Sequence, residues 1–404
     1  MYIQRDVFLN RIIKQKDNHL IKTITGVRRC GKSVLLFEIY YNYLLLHGVK
    51  DENIIRINLE NLDNIKLRDK MELYKYIQSR VIKNQHYYIF IDEIQYVKEF
   101  EELLNTLNNN GHDVYVTGSN SKLLSSDIAT SLRGRSIEIR LFPLSFKEYY
   151  EYVGGDKYVV YNNYLMYGGY PYVVNEEDKD NKISYLKMIE ETVASKDIID
   201  RYNIKNVLLF NAVYDFLCSN IGSIISTKKI TDTLKSNGFS NATVDTVSNY
   251  LQYLCDAYLF YKVYRYDIKG KEYLKTLNKY YISDLGLRNA KMNYRQVEVT
   301  HSLENIIYIE LIRRGYMVDI GKNNTKEIDF VAKNNKDTYY IQVAYSIVDE
   351  NKREQEISSF YNLDDGYKKI VITMDNDPFT ILKNGYKKVN AIDFLLDENI
   401  LEKV

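Results

Sequence analysis

Cysteine, proline and tryptophan are scarce or missing in this chain: 404 residues hold three Cys (Cys30, Cys218, Cys255), three Pro and no Trp. The cysteines stand far apart, with no CxxC pair and no His-rich spacing, which excludes a zinc module or a disulfide framework and fits a reducing compartment. No Pro-rich or Gly/Ser-rich linker marks a boundary, and no repeat of fixed period is present. No run reaches the roughly 18 uninterrupted apolar residues of a membrane helix. The opening MYIQRDVFLNRIIKQKDNHL is broken by charge every few positions, so no secretory signal is expected. An excess of charge of one sign is missing too. Lys plus Arg number 55 and Asp plus Glu 54, a net charge of +1, so no global field draws the chain to a polyanion and any nucleic-acid contact must be a local patch. The expectation is a cytoplasmic protein without a membrane partner. Tyrosine is plentiful at 40, but together with abundant Asn, Ile and Lys it reflects an AT-rich coding genome.

At about 150 residues per domain, this length predicts two to three domains. From Leu20 to about Leu141, short β-branched runs (LIKTIT, IIRINL, YYIFID, VYVTG, IEIRL) alternate with amphipathic helical stretches, the pattern of a parallel α/β sheet. We read residues 1–145 as that core. Residues 146–206 read as a helical lid or spacer turning at Gly168, Gly169 and Pro171. Residues 207–290, three helical patterns and then two apolar runs around Gly270, read as a winged helix-turn-helix. Residues 291–404 read as a compact α/β end domain.

The core carries the chemistry. Gly26-Val27-Arg28-Arg29-Cys30-Gly31-Lys32-Ser33 satisfies GxxxxGK[ST], between a strand and a helix that continues through Val34. Consecutive backbone N–H groups and a helix start make a phosphate cradle, with Lys32 neutralising the transferred phosphoryl group and the Ser33 hydroxyl completing a Mg²⁺ site. Downstream, YYIFIDE ends an apolar strand in Asp92 and Glu93. Carboxylates at the C-terminal edge of a buried parallel strand face the ligand crevice. Asp92 is expected to hold Mg²⁺ and Glu93 to polarise the attacking water. After the next strand, Ser119 and Asn120 are candidate γ-phosphate sensors, and ordinary helix capping stays open for them. Arg133 and Arg135 offer guanidinium groups that could reach a γ-phosphate in cis or from a neighbouring subunit, with plain surface arginines as the alternative.

Together GVRRCGKS, IFIDEIQ, VTGSNSKLLS, LRGRS, LFPLSFKEYYEY and YGGYP resemble the prokaryotic AAA+ ATPases of the AAA-14 group, usually joined to a DUF4143-type C-terminal region. The resemblance covers nearly the whole chain. It implies a P-loop core of strand order 5-1-4-3-2, a winged-helix region, a restriction-endonuclease-like end domain, and ATP as the nucleotide. On these motifs the family's phosphate loop falls on Gly26, Gly31, Lys32 and Ser33, and its acidic pair on Asp92 and Glu93.

A PD-(D/E)xK nuclease needs a helix carboxylate, an Asp at a strand end and a [DE]-x-K step on the next strand. The candidates are Glu304, Asp329 and Gln342-Val343-Ala344, so an amide and an alanine stand where acid and lysine belong. The expectation is a degenerate site, with Lys352 or Arg353 able to replace the missing cation. In the winged-helix region the segment Asn241 to Tyr250 carries no base. The following wing offers Lys262, Arg265, Lys269, Lys271, Lys275 and Lys279 against Asp267 and Glu272, a local patch suited to duplex DNA; a protein partner is the alternative. The functional expectation is an ATP- and Mg²⁺-dependent AAA+ switch or motor acting on DNA or a protein. A nucleotide-regulated nuclease, a non-hydrolysing scaffold and a homo-oligomer all stay open.

Overall fold

The computed structural model describes residues 3–119, 132, 134–295, 298–377 and 380–403. The chain divides into two compact units, one of Met1–Pro143 with Asp256–Tyr258, the other of Leu144–Cys255 with Leu259–Val404.

In the first unit, strands β1 (Ile21–Thr25), β2 (Ile54–Asn58), β3 (Tyr88–Asp92), β4 (Asp113–Gly118) and β5 (Ser136–Arg140) form one sheet of order β2-β3-β4-β1-β5. Every pairing is parallel, which is the 5-1-4-3-2 order implied by the resemblance. The inner strands β1, β3 and β4 are buried along their whole length, whereas the edge strands β2 and β5 expose or half-expose several residues. This is why the inner strands read as unbroken apolar runs. The helix Phe100–Asn109 buries Phe100, Leu103, Leu104 and Leu107, which join Ile55, Ile57, Leu73, Ile77, Ile89 and Ile91 in one core. Each such side chain contributes roughly 1.5–3 kcal/mol on leaving water. Because β1, β3 and β4 run parallel and adjacent, their C-terminal ends open side by side, with the glycine-rich loop after the first and Asp92 closing the second.

In the second unit, the helix Phe146–Val153 starts on a capping box made by Ser145 and Glu148. The helix Lys157–Tyr167 ends at Gly168, and the short helix Pro171–Asn175 follows. The GGYP turn between them has a physical reason. Gly169 N donates to the Asp284 carboxylate at 2.7 Å, and the same carboxyl accepts from Gly286 N and Leu287 N at 2.8 and 3.3 Å. A Cβ on Gly168, where φ is 71°, would run into that carboxyl group.

Helices Val207–Ser219, Thr227–Ser236 and Val244–Asp256 precede a hairpin of β6 (Phe260–Asp267) and β7 (Glu272–Ile282). The last third adds the helix Val299–Arg313, then β8 (Met317–Asn323), β9 (Lys326–Lys333), β10 (Thr338–Ala344), the helix Glu350–Ile357, β11 (Lys368–Thr373), β12 (Thr380–Ile381) and β13 (Lys387–Asn390). All of these strands share one sheet of order β12-β13-β11-β10-β9-β8-β6-β7. The hairpin that the sequence suggests as a wing is therefore not free: β6 pairs in parallel with β8, Arg265 opposite Ile320. Within the hairpin, Val263 opposes Lys279 but Arg265 already opposes Leu274. The β7 residues between those pairs leave the ladder, with Leu277 at φ 70° and Asn278 bridging to Ile225. A bulge of this kind re-aims the side chains beside it.

Candidate nucleotide site and the Lys279 cage

The loop between β1 and the helix starting at Lys32–Val34 holds the predicted phosphate residues together. Gly26 has φ 145°, and a Cβ there would lie 2.1 Å from the Leu141 carbonyl oxygen, so only glycine fits. Arg29 and Gly31 also take positive φ, 64° and 104°, curling the backbone into a nest. The Lys32 ammonium is buried and donates to the carbonyls of Gly26 and Val27 at 3.0 and 3.2 Å. Val27 and Cys30 face the core, the Cys30 thiol directed at the Leu141 carbonyl, and burial pushes that thiol's pKa up. Val34 is partly exposed. Arg28 pairs with Glu60 at 3.6 Å.

Opposite Lys32, the Ser33 hydroxyl donates to Asp92 Oδ1 at 3.0 Å. The Thr117 hydroxyl, at the end of β4, donates to the same oxygen and accepts from the Glu93 backbone N–H at 3.0 Å. Glu93 itself sits in the left-handed region, φ 53°, a conformation costly for a side chain-bearing residue and typical of functional sites. Its carboxylate accepts from Gln95 Nε2. Burial raises the Glu93 pKa above the ordinary value, with nearby Lys32 acting in the opposite sense. Ser33 and Asp92 present hard oxygen donors side by side, a set that suits Mg²⁺.

Sequence reasoning missed Thr117 and Arg5. The first is a polar residue at the end of an otherwise apolar strand, which is a weak but available signal. Arg5 is buried and donates to the carbonyls of Cys30 and Phe142 at 3.1 and 2.7 Å, tying the start of the chain to the loop; nothing local announces it. Of the sensor and arginine candidates, Ser119 is buried with its hydroxyl unpartnered among the described residues. Arg135 is exposed. Asn120 and Arg133 lie outside the described residues.

A second constellation forms in the other unit. The helix Val299–Arg313 carries Glu304, β9 carries Glu327 and Asp329, and all three face the ammonium of Lys279, at 2.8, 2.7 and 3.6 Å. Tyr281 OH donates to Glu304 at 2.5 Å, and Val343 N donates to Asp329 at 2.8 Å. Burial works against the lysine's charge, but the carboxylates outweigh it and hold its pKa above the ordinary value. Burial and the neighbouring Glu304 push Asp329 up to about 8. Glu304, despite burial, is held below its ordinary range, Lys279 being the strongest influence in that direction.

The predicted trio Glu304, Asp329 and Gln342 is thus brought together, Gln342 Oε1 accepting from Asp329 N at 3.4 Å. Lys352 pairs at 3.9 Å with Glu356, whose other oxygen accepts from Gln342 Nε2 at 2.9 Å, and Arg353 donates to the carbonyls of Ile347 and Val348, while the ammonium that meets Glu304 and Asp329 is that of Lys279 on β7. The same burial removes Lys279 from the basic wing. Of that patch Lys262, Lys269 and Lys271 are exposed, and Arg265 is half-buried. Among the described residues, no group of three or more His, Cys, Asp or Glu is arranged to hold a metal ion, and no helix is long and apolar enough to cross a membrane.

Comparison with known proteins matches two successive segments of the chain to different families. The AAA domain family matches residues 18–150. A domain of unknown function, DUF8612, matches residues 159–298, where the resemblance in the sequence implied a DUF4143-type region. An uncharacterized protein of Haemophilus influenzae is 39% identical over 401 residues, 98% of each chain. An uncharacterized protein of Methanocaldococcus jannaschii is 31% identical over 427 aligned positions, covering all of this chain and 89% of that one. Among solved structures, Cdc6p from Pyrobaculum aerophilum aligns over 76% of this chain and 96% of its own at 11% identity and a TM-score of 0.31, a likeness too slight to carry an argument.

Proposed function

The chain belongs to the family of AAA-domain proteins that includes these Haemophilus and Methanocaldococcus relatives, and from that premise we propose that it hydrolyses ATP with Mg²⁺ to drive its second unit against DNA or a protein partner. The observation that carries the reading is the convergence of Lys32, Ser33, Asp92, Glu93 and Thr117 at the open ends of β1, β3 and β4. Lys32 exchanges its loop carbonyls for phosphate oxygens. Ser33 and Asp92 would hold Mg²⁺, which would supply charge neutralisation to the nucleotide phosphates. Thr117 fixes Asp92 and the Glu93 backbone at once, so the carboxylate of Glu93 stands ready as the base. Arg135, exposed, is the described arginine available to a second copy of the chain.

The last third we read as a restriction-endonuclease-like platform that does not cut. Its helix, three-strand, helix, strand order from Val299 to Thr373 supports the fold analogy. The ammonium of Lys279 amid Glu304, Glu327 and Asp329, with Gln342 and Ala344 in place of acid and lysine, supports the loss of cleavage. The three helices Val207 to Asp256 and the hairpin after them are read as a winged helix whose exposed Lys262, Lys269 and Lys271 meet duplex phosphates. Phosphate release from the purified chain with ATP and Mg²⁺, with and without duplex DNA, tests both parts. Stimulation by duplex supports the DNA-directed reading, turnover indifferent to duplex redirects it to a protein partner, and absent turnover overturns it. Divalent-metal-dependent cleavage of plasmid would overturn the non-cutting platform.

A further inference from the structure

We propose that Gln95 is a catalytic residue of the nucleotide site, holding the attacking water together with Glu93; this rests on the ATPase reading above. Gln95 follows the acidic pair by two positions, in the short helical turn Ile94–Tyr96. Its Nε2 donates to Glu93 Oε2. An ionised carboxylate can only accept, so the amide nitrogen is the end of Gln95 that faces Glu93 in this bond. The other end, Oε1, is buried and has no hydrogen-bond partner among the described residues. A buried amide oxygen left unpaired costs about 1–3 kcal/mol, and a catalytic role or a bound water is among the reasons such a group is kept.

A water has two protons, and this pair offers one acceptor for each: the Glu93 carboxylate and Gln95 Oε1. One N–H···O bond ties the two side chains together, next to the left-handed backbone at Glu93. In the reaction the water oxygen forms its bond to the γ-phosphorus as the bond to the β–γ bridging oxygen breaks, the electron pair leaving with ADP. One water proton passes to Glu93 and then to the product phosphate. The other stays on the oxygen, held by Gln95, and aligns the attacking lone pair. Misalignment by about 1 Å costs on the order of a hundredfold in rate.

The test is Gln95→Leu, which keeps volume without polarity, with Gln95→Ala as a second variant, both in the full chain beside the wild type. Turnover by the wild type that disappears in Glu93→Gln establishes the ATPase reading first. Expected for Gln95→Leu is a kcat about tenfold to a hundredfold lower, with KM for ATP within twofold. Affinity for ADP with aluminium fluoride, which mimics the transferring phosphoryl group with its attacking water, should fall by the same factor, while ADP affinity and melting temperature stay unchanged. Wild-type kcat in both variants overturns the role of Gln95 and leaves the ATPase reading standing. So does a loss that ADP affinity or melting temperature shares, which marks a structural part. Absence of turnover in the wild type overturns both.

Discussion

Lys279 is the one ammonium that meets Glu304, Glu327 and Asp329 together among the described residues. The buried Lys279 ammonium keeps its charge because Glu304, Glu327 and Asp329 surround it, and removing one member of such a set costs about 3–5 kcal/mol. Lys279→Met should therefore destabilise the second unit by that amount in urea unfolding at pH 7, and adding Glu304→Gln should restore part of the loss. Unchanged stability in Lys279→Met would show that the lysine is not the structural centre of the cage. Asp284 makes the complementary case, a buried carboxyl that accepts from the backbone N–H groups of Gly169, Gly286 and Leu287, with burial pushing it up to about 6. Between its unfolded value of 3.8 and about 6 the folded chain keeps a proton that the unfolded chain has released, so stability falls as pH rises through that window and levels off above it. The loss amounts to about 3 kcal/mol. A melting-temperature series from pH 4 to 7 should show that decline in the wild type and lose this component in Asp284→Asn.

At the scale of elements, what the sequence made legible was local. GVRRCGKS and YYIFIDE are contiguous, so spacing alone places Lys32, Ser33, Asp92 and Glu93, and the unbroken apolar runs of β1, β3 and β4 announce strands covered on both faces. Contacts between distant segments were not legible. Arg5 reaches Phe142 across 137 positions, Thr117 meets Asp92 across 25, and Lys279 on β7 meets Glu304 on the helix Val299–Arg313 across another 25. No pattern in β6 and β7 told a free wing from strands inside a larger sheet, since both alternate apolar and polar residues. The phosphate loop also depends on a neighbour that the motif does not name: the Leu141 carbonyl, just beyond β5, closes on Gly26. Gly26→Ala should abolish ATP binding in isothermal titration, because the obstacle is backbone and the φ of 145° disfavours any side chain. Retained affinity would mean that the loop rebuilds itself around the methyl group.

At the scale of the whole molecule, the proposed function joins a nucleotide-driven unit to a platform that does not cut. If Arg135 completes the site of a neighbouring copy, specific activity should rise with protein concentration, and Arg135→Ala should lower it several-fold without changing ATP affinity; concentration-independent turnover would favour a single-chain switch. The central claim is that Glu93 is the base of an ATP-hydrolysing centre assembled by Ser33, Asp92 and Thr117. Its most direct test is Glu93→Gln, measured for ATP affinity and for phosphate release in the same preparation. The account predicts ATP bound as tightly as by the wild type and phosphate release lowered at least a hundredfold, because an amide cannot take the water's proton. Phosphate release at the wild-type rate would contradict it.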